Sequence, residues 1–461
     1  MFSVFMNFVT RSDSVLRIIL ACWLCLGAGC ATVRHARDVQ KGSHLVPGER
    51  LLKANEVGLS SNTVLTLDKA LSIALANHPS IFQAEQSLIA ATAQVHQARA
   101  AYLPQASASA GESRATANSQ GVPESHDAGN SFNGSLGLNL LVYDFGKTPA
   151  QVRQAFARQI AAAESLRSAR SDLAYSVRAA FYNLEKTLEL EQVSIDAIRQ
   201  YKDHLDQVHA FRDVGRRTRY DVTKSEVDLG NAKLDLIKAQ SDISDARAAL
   251  NRTLGLAEEP GYHTQKTVTT TTFPATTAEH LMVQARRNHP GLRLLQAEER
   301  VANAAVDEAI ASLYPEIGLQ AKYGLGGSRF PLTWNWSAAL QSSLQLFTGW
   351  NQTWNIEAAV ARLRVARSKV AEQEQQIFED LKNSLNQLTS SQQRLSLTDL
   401  LVREAQESLD LVGERYKIGA AAAVEVTDAQ VALTGARAEQ VKAKFDYQAA
   451  IAQIKHAVGE E

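Results

Sequence analysis

The residue types that build enzyme sites occur in this chain without gathering into a constellation that could make or break a bond. There is no HExxH, no Walker loop, no nucleophile elbow and no Cys/His cluster. Gly324-x-Gly326-Gly327 falls in a strand and hairpin turn rather than ahead of a helix, so it does not read as a phosphate cradle. His78 and His289 each precede a proline at a helix interruption, where a structural role outweighs a ligand role. No catalytic residue, cofactor or metal is expected. Glu425 and Asp428, in Val424-Glu425-Val426-Thr427-Asp428-Ala429, are three apart and share one helix face. On their own they read as solvated carboxylates at a helix start, where the dipole favours negative charge.

The cysteines have more specific chemistry. Arg11 and Arg17 precede the apolar run Ile18 to Ala28, too short to span a bilayer and of signal-peptide proportions, so residues 1–29 read as a signal peptide. The run ends Leu26-Gly27-Ala28-Gly29-Cys30, which resembles a lipobox: the peptide is cut before Cys30, which then receives lipid. Gly27 stands where Leu is usual, and cleavage after Ala28 or Ala31 is the plain alternative. Cys22-x-x-Cys25 lies inside the apolar run with no βαβ context, which disfavours a redox pair. The mature chain keeps no cysteine pair for an intramolecular disulfide, and it leaves the cytoplasm.

These residues sit in a chain that repeats itself. Asn77-His78-Pro79 is followed by Tyr102-Leu103-Pro104, and Asn288-His289-Pro290 by Leu313-Tyr314-Pro315, an offset of 211 residues from Pro79 to Pro290. Tyr143-Asp144-Phe145-Gly146 is answered by Leu346-Phe347-Thr348-Gly349. Val214-Gly215…Asp221-Val222 is answered by Ile418-Gly419…Glu425-Val426, and Leu254-Gly255 by Val458-Gly459, both at an offset of 204. Two copies of one unit therefore fill residues 63–260 and 279–461, behind a polar leader over 30–62 and joined by a Thr-rich linker over 261–278. With 48 basic and 49 acidic residues the formal net charge is −1, and no global field points to nucleic acid.

Within each copy the hydrophobic period changes. Leu71, Ala74, Leu75, Phe82, Leu88 and Val95 keep helical spacing up to Pro104, interrupted only at Pro79. The hairpins 104–145 and 315–347 then alternate: Phe132, Leu136, Leu138 and Leu140, or Trp334, Trp336, Ala338, Leu340, Leu344 and Leu346, against Gly, Ser, Asn and Gln. Long apolar-out, polar-in strands with Tyr and Trp near their ends are the signature of a transmembrane β-barrel. A soluble hairpin packed on a core is the weaker reading. Lys147 to Asp213 and Asn351 to Ile418 each read as one helix of about 100 Å, ending at tip turns near Gly215 and Gly419 where glycine suits a left-handed C-cap. Shorter helices return over 217–254 and 421–458.

A closed outer-membrane barrel needs at least about eight strands, and one chain supplies four. Open edges cannot face lipid, so several chains must share one barrel; three would supply twelve strands.

The duplication, the NHP…P openings, the hairpin exits and the tip pattern G-x₅-(D/E)-V together resemble the TolC-like outer-membrane efflux proteins, from about residue 63 to the C-terminus. The fold class this implies is a mixed α+β membrane protein, a duplicated unit of two β-strands plus long helical hairpins. As a homotrimer it forms a 12-stranded transmembrane barrel continuous with a periplasmic α-helical barrel. The implied function is a passive exit duct docked on a periplasmic adaptor protein and an inner-membrane transporter. Cys30 adds a likeness to the lipoprotein branch, anchored in outer-membrane lipid. Glu425 and Asp428 match the carboxylates that ring the family's periplasmic gate. Tyr416 and Asp221 match members of its tip latch, Ala421 stands where that latch has Arg, and Arg217 holds the equivalent place in the first copy. The turns at Gly215 and Gly419 match the adaptor-contacting end; Arg216, Arg217 and Arg219 beside the first either contribute to that contact or form a solvated basic tip. A type I secretion duct and, less favoured, a periplasmic adaptor lipoprotein are the alternatives.

Overall fold

A computed structural model describes residues 32–34, 36–41, 49–50, 52–59, 63–115, 129–257, 260–265, 273–274 and 276–460. The signal peptide and Cys30 lie outside the described residues. Strand β1 (Val64–Leu65) leads into helices α1 (Leu67–Asn77) and α2 (Pro79–Ala100), strands β2 (Gln105–Ala115) and β3 (Gly129–Tyr143), and helices α3 (Lys147–Asp213) and α4 (Arg219–Leu254). Strand β4 (His263–Thr264) opens the second round: α5 (Ala278–Asn288), α6 (Pro290–Ala311), β5 (Glu316–Gly327), β6 (Thr333–Ser343), α7 (Asn351–Lys417) and α8 (Ala423–Val458).

The NHP motif has a local cause. His78 ends α1 and starts α2, its Nδ1 accepting the Ser80 N–H at 3.2 Å while Pro79 takes the first helical position. His289 does the same for α5 and α6 through Leu292 N–H at 3.3 Å. The left-handed glycines that end the return helices abut these corners. A Cβ on Gly255 would stand 3.5 Å from His78 Cα, and one on Gly459 only 2.7 Å from His289 Cα. Each corner thus seats the foot of the return helix of its own repeat.

The four long strands form one antiparallel sheet, β2-β3-β5-β6, in which β3 pairs with β5 across the repeat boundary. Its register stacks Ala108, Leu136, Tyr323 and Trp336 in one row, and Ala106, Leu138, Ala321 and Ala338 in the next. This face is bare: Leu136, Tyr323, Leu325, Trp334, Trp336 and Leu340 are all exposed. The opposite face carries Ser107, Ser135, Gly137, Asn139, Gln320, Lys322 and Ser337. Gly324 lies there because the Asn335 amide oxygen occupies the space a Cβ would fill, 2.5 Å away. The ladder ends at Ser343, so Leu344 and Leu346 continue the alternation without strand partners; β5 begins only at Glu316 and has no residue left to pair with them. Where the strands leave the sheet, Tyr143, Phe145 and Tyr314 make an aromatic cluster with ring centroids 4.8 and 5.7 Å apart, and Phe347 meets Trp350 at 6.2 Å. Such amphipathic rings favour a membrane–water boundary.

Helices α3 and α7 have 67 residues each, about 100 Å at 1.5 Å per residue. The short helices stack end to end against them. α2 and α4 share one flank of α3, while α6 and α8 fill the space between α3 and α7. One chain is therefore a wall of four helical columns under a four-stranded sheet. Leu65, Ile73, Phe181, Leu184, Leu250 and Leu254 form the waist core of the first copy, and Leu281, Leu292, Ile377, Leu381, Ile454 and Val458 that of the second. Parts of the leader and of the linker belong to that waist. In the leader, Leu52, Ala54 and Leu59 are buried and Leu52 bridges Leu256. At the head of the linker, β4 pairs in parallel with β1 while Tyr262 donates to Asn251 Oδ1 at 2.9 Å.

Candidate functional site at the helical tip

Far from the sheet, each long helix reverses through a left-handed glycine, Gly215 at φ +75° and Gly419 at φ +82°. Gly215 N–H donates to Arg212 O and Arg216 N–H to Phe211 O, both at 2.8 Å; Gly419 N–H donates to Tyr416 O at 3.0 Å and Ala420 N–H to Arg415 O at 2.8 Å. Nested bonds of this kind satisfy the last carbonyls of the helix.

The return helices start differently. Thr218 and Asp221 close a reciprocal capping box, with Asp221 N–H donating to Thr218 Oγ1 at 3.3 Å and Thr218 N–H to Asp221 Oδ2 at 3.0 Å. At the second tip the N-cap is Ala422, which has no side-chain acceptor. Only half the box remains, Ala422 N–H donating to Glu425 Oε1 at 2.8 Å. Glu425 also faces Arg415 at 3.7 Å, an exposed pair of little stabilising value. Asp428 is exposed and makes no hydrogen bond or ion pair among the described residues. In the first copy the place of Asp428 is taken by Lys224, which pairs with Asp228.

The two tips are held together by a small seam. Val208, Val222, Tyr416, Ala421, Ala423 and Val426 bury one another. Tyr416, 1% exposed, packs edge-on against Phe211 at 5.6 Å and lies tilted against His204 at 5.2 Å. Arg217 reaches across from the first tip, its Cζ 4.4 Å from the centre of the Tyr416 ring and its Nη2 donating to Ala421 O at 2.8 Å. Thr427 Oγ1 donates to Asp228 Oδ2 at 3.3 Å, and Gln430 Nε2 to Gln200 O at 3.2 Å.

The residues expected to form a latch are thus neighbours, but with different bonds. Asp221 does not bond Tyr416; its carboxylate is engaged in capping α4. The Tyr416 hydroxyl is buried without a hydrogen-bond partner, while the Arg217 guanidinium lies over the Tyr416 ring in a cation–π contact. Burial pushes the Tyr416 phenol up, an effect the Arg217 charge opposes. His204 escaped the sequence reading. It is 3% exposed with neither ring nitrogen hydrogen-bonded, and burial pulls its imidazole below the ordinary histidine range. Its signal was present in the helical stripe Tyr201, His204, Val208, Phe211, where one histidine interrupts an apolar face.

An amphipathic sheet with an uncovered apolar face, set on long helical columns that end in turns, defines a channel-forming outer-membrane protein. A family model described as "Outer membrane efflux protein" matches residues 70–256 and 281–460, and the chain belongs to that family. Among curated relatives, the outer membrane efflux protein BepC of Brucella suis is 24% identical over 426 residues, covering 87% of this chain and 88% of its own. The alkaline protease secretion protein AprF of Pseudomonas aeruginosa is 22% identical over 336 residues, covering 71% and 70%. Among solved structures, the CmeC outer membrane channel of Campylobacter jejuni superposes with a TM-score of 0.77 at 18% identity, covering 89% of this chain and 88% of that one. These likenesses, with two hairpins and a membrane-type sheet in one chain, set aside the periplasmic adaptor alternative.

Proposed function

We propose that three copies of this chain close into one conduit, the passive exit duct of a tripartite efflux pump. The observation that carries this reading is the pair of raw flanks on the protomer. β2 and β6 have no further strand beyond them among the described residues. Below them the outer columns α4 and α7 expose apolar stripes: Val227, Leu234 and Ile237 on one, Leu397, Leu400, Leu401 and Leu411 on the other. Unpaired strand edges cost several kcal/mol per group in lipid. Pairing β6 with the β2 of a neighbour, and α7 with its α4, removes both problems at once. Three such steps give twelve strands over twelve helical columns.

In this assembly the apolar sheet face meets lipid and the Ser, Asn and Gln face lines the bore. Lipid on Cys30 tethers the chain to the outer membrane. The tips meet a periplasmic adaptor, through Gly215, Gly419 and the arginines beside them, and an inner-membrane transporter supplies the energy. Glu425 and Asp428 become rings of three carboxylates at the entrance, where like charges favour cations. Purification from outer membranes as a detergent-stable trimer that conducts ions is the expected result; a water-soluble monomer would contradict it. A type I secretion duct is the second reading, favoured by the likeness to AprF, and co-purification of the adaptor distinguishes the two.

A further inference from the structure

The seam between the tips contains a group that the duct itself does not require. His204 projects from α3 into the contact between the two repeats, buried and packed on the Tyr416 ring of α7. A histidine on an apolar helix face usually finds a partner for at least one nitrogen. Here neither nitrogen has one, and the neighbouring Tyr416 hydroxyl and Gln430 Oε1 are also buried without hydrogen bonds. One turn away on α3, the Gln200 carbonyl is occupied by Gln430 of α8. A neutral imidazole is tolerated in this setting; an imidazolium is not.

Two of the cross-tip bonds run through the charged groups that act on His204. Arg217, the cation, holds Ala421 O and covers Tyr416. Asp228 of α4, the anion, accepts from Thr427 of the second tip and is paired with Lys224. Among the described residues the charges that act on His204 are Asp228 and Arg217, both of the first repeat; α7 packs the Tyr416 ring on it, and the α8 residues bonded across the seam, Thr427 and Gln430, are neutral. A proton on His204 would therefore repel the side chain that holds Ala421. It would also compete for the carboxylate that holds Thr427. We propose that the seam is an acid-sensitive catch, in which protonation of His204 releases the second tip from the first.

The sign follows from burial. The closed seam lowers the histidine from its ordinary value of 6.5, so closing is fully favoured above that value and is lost as pH falls through the lower closed-state value. Asp228 acts in the opposite sense, favouring the charged form. The proposal rests on the second tip being the moving part of the entrance, and the test separates the two.

Spin labels on Val214→Cys and Ile418→Cys, both exposed turn residues on the two tips, report the tip-to-tip distance by double electron–electron resonance in trimers diluted with unlabelled full-length chain. Between about pH 8 and about pH 5 the single short distance is expected to give way to a broad, longer distribution. In a His204→Phe background, which keeps an aromatic ring against Tyr416, the short distance persists at both ends of that range. In Asp228→Asn the loosening moves to higher pH, because the carboxylate that steadies an imidazolium inside the closed seam is gone. A wild-type distance that does not change with pH overturns the proposal; so does His204→Phe loosening as wild type does, or an Asp228→Asn midpoint that stays where it was. Single-channel conductance on the same samples bears on the entrance alone. If the tips separate in acid while conductance is unchanged, the catch stands and the gate reading fails.

Discussion

The two tips of this protein share a turn and differ in how firmly the following helix begins. Both reverse through a left-handed glycine with nested backbone bonds. The first then enters α4 through the Thr218–Asp221 box and neutralises the next turn with Lys224. The second enters α8 from Ala422, whose N–H donates to its own Glu425, and Asp428 one turn on is unpaired among the described residues. Replacing a Thr cap by Ala costs about 1 kcal/mol, so the second tip is the weaker of two otherwise matched structures. The repeat supplies symmetry for the wall, and in the proposed duct its local breakdown marks the part that would move. What holds the weak tip comes mostly from the strong one, through Arg217 and Asp228.

The largest effect should come from cutting that support. Arg217→Ala removes a charged hydrogen bond worth about 2 kcal/mol, roughly a thirtyfold shift toward separated tips. It should appear as raised open probability in planar bilayers with the trimer intact. Gly215→Ala and Gly419→Ala come next. At neither glycine does any atom lie within 4 Å of the place a Cβ would take, so each substitution costs only the left-handed backbone penalty, about 1 to 2 kcal/mol. Both should lower thermal stability alike, but only Gly419→Ala should alter conductance; equal changes in conductance would remove the distinction between the tips. The smallest effect, about 1 kcal/mol, is expected from exchanging caps. Ala422→Thr should lengthen closed dwell times about fivefold, while Thr218→Ala should destabilise α4 with little effect on gating.

Most of the architecture was legible in the sequence because it is written as period and punctuation. The long helix Lys147–Asp213 lies where a proline-poor stretch ended at Val214-Gly215, and the NHP corners interrupt the helices at Pro79 and Pro290. Three features were not legible. The role of Leu52, Ala54 and Leu59 depends on contacts with a return helix some two hundred residues away, which no local pattern encodes. At the tip, family likeness brought Tyr416, Asp221 and Arg217 together but not their bonds. Asp221 satisfies its own helix start first, a contact three residues away, and Arg217 is left to span the seam. His204 was hidden by looking ordinary, one polar residue in a helical stripe whose burial exists only once the second repeat packs over it.

The measurement that tests the account most directly is cation block of single-channel current in the trimer. Blocking by a multivalent cation added on the side of the tips is compared between wild type, Glu425→Gln with Asp428→Asn, and the first-tip variant Asp221→Asn. If the entrance is ringed by the second tip, neutralising Glu425 and Asp428 abolishes block, whereas Asp221→Asn leaves it as in wild type. Block that persists in the Glu425→Gln, Asp428→Asn double variant would contradict the placement of the gate.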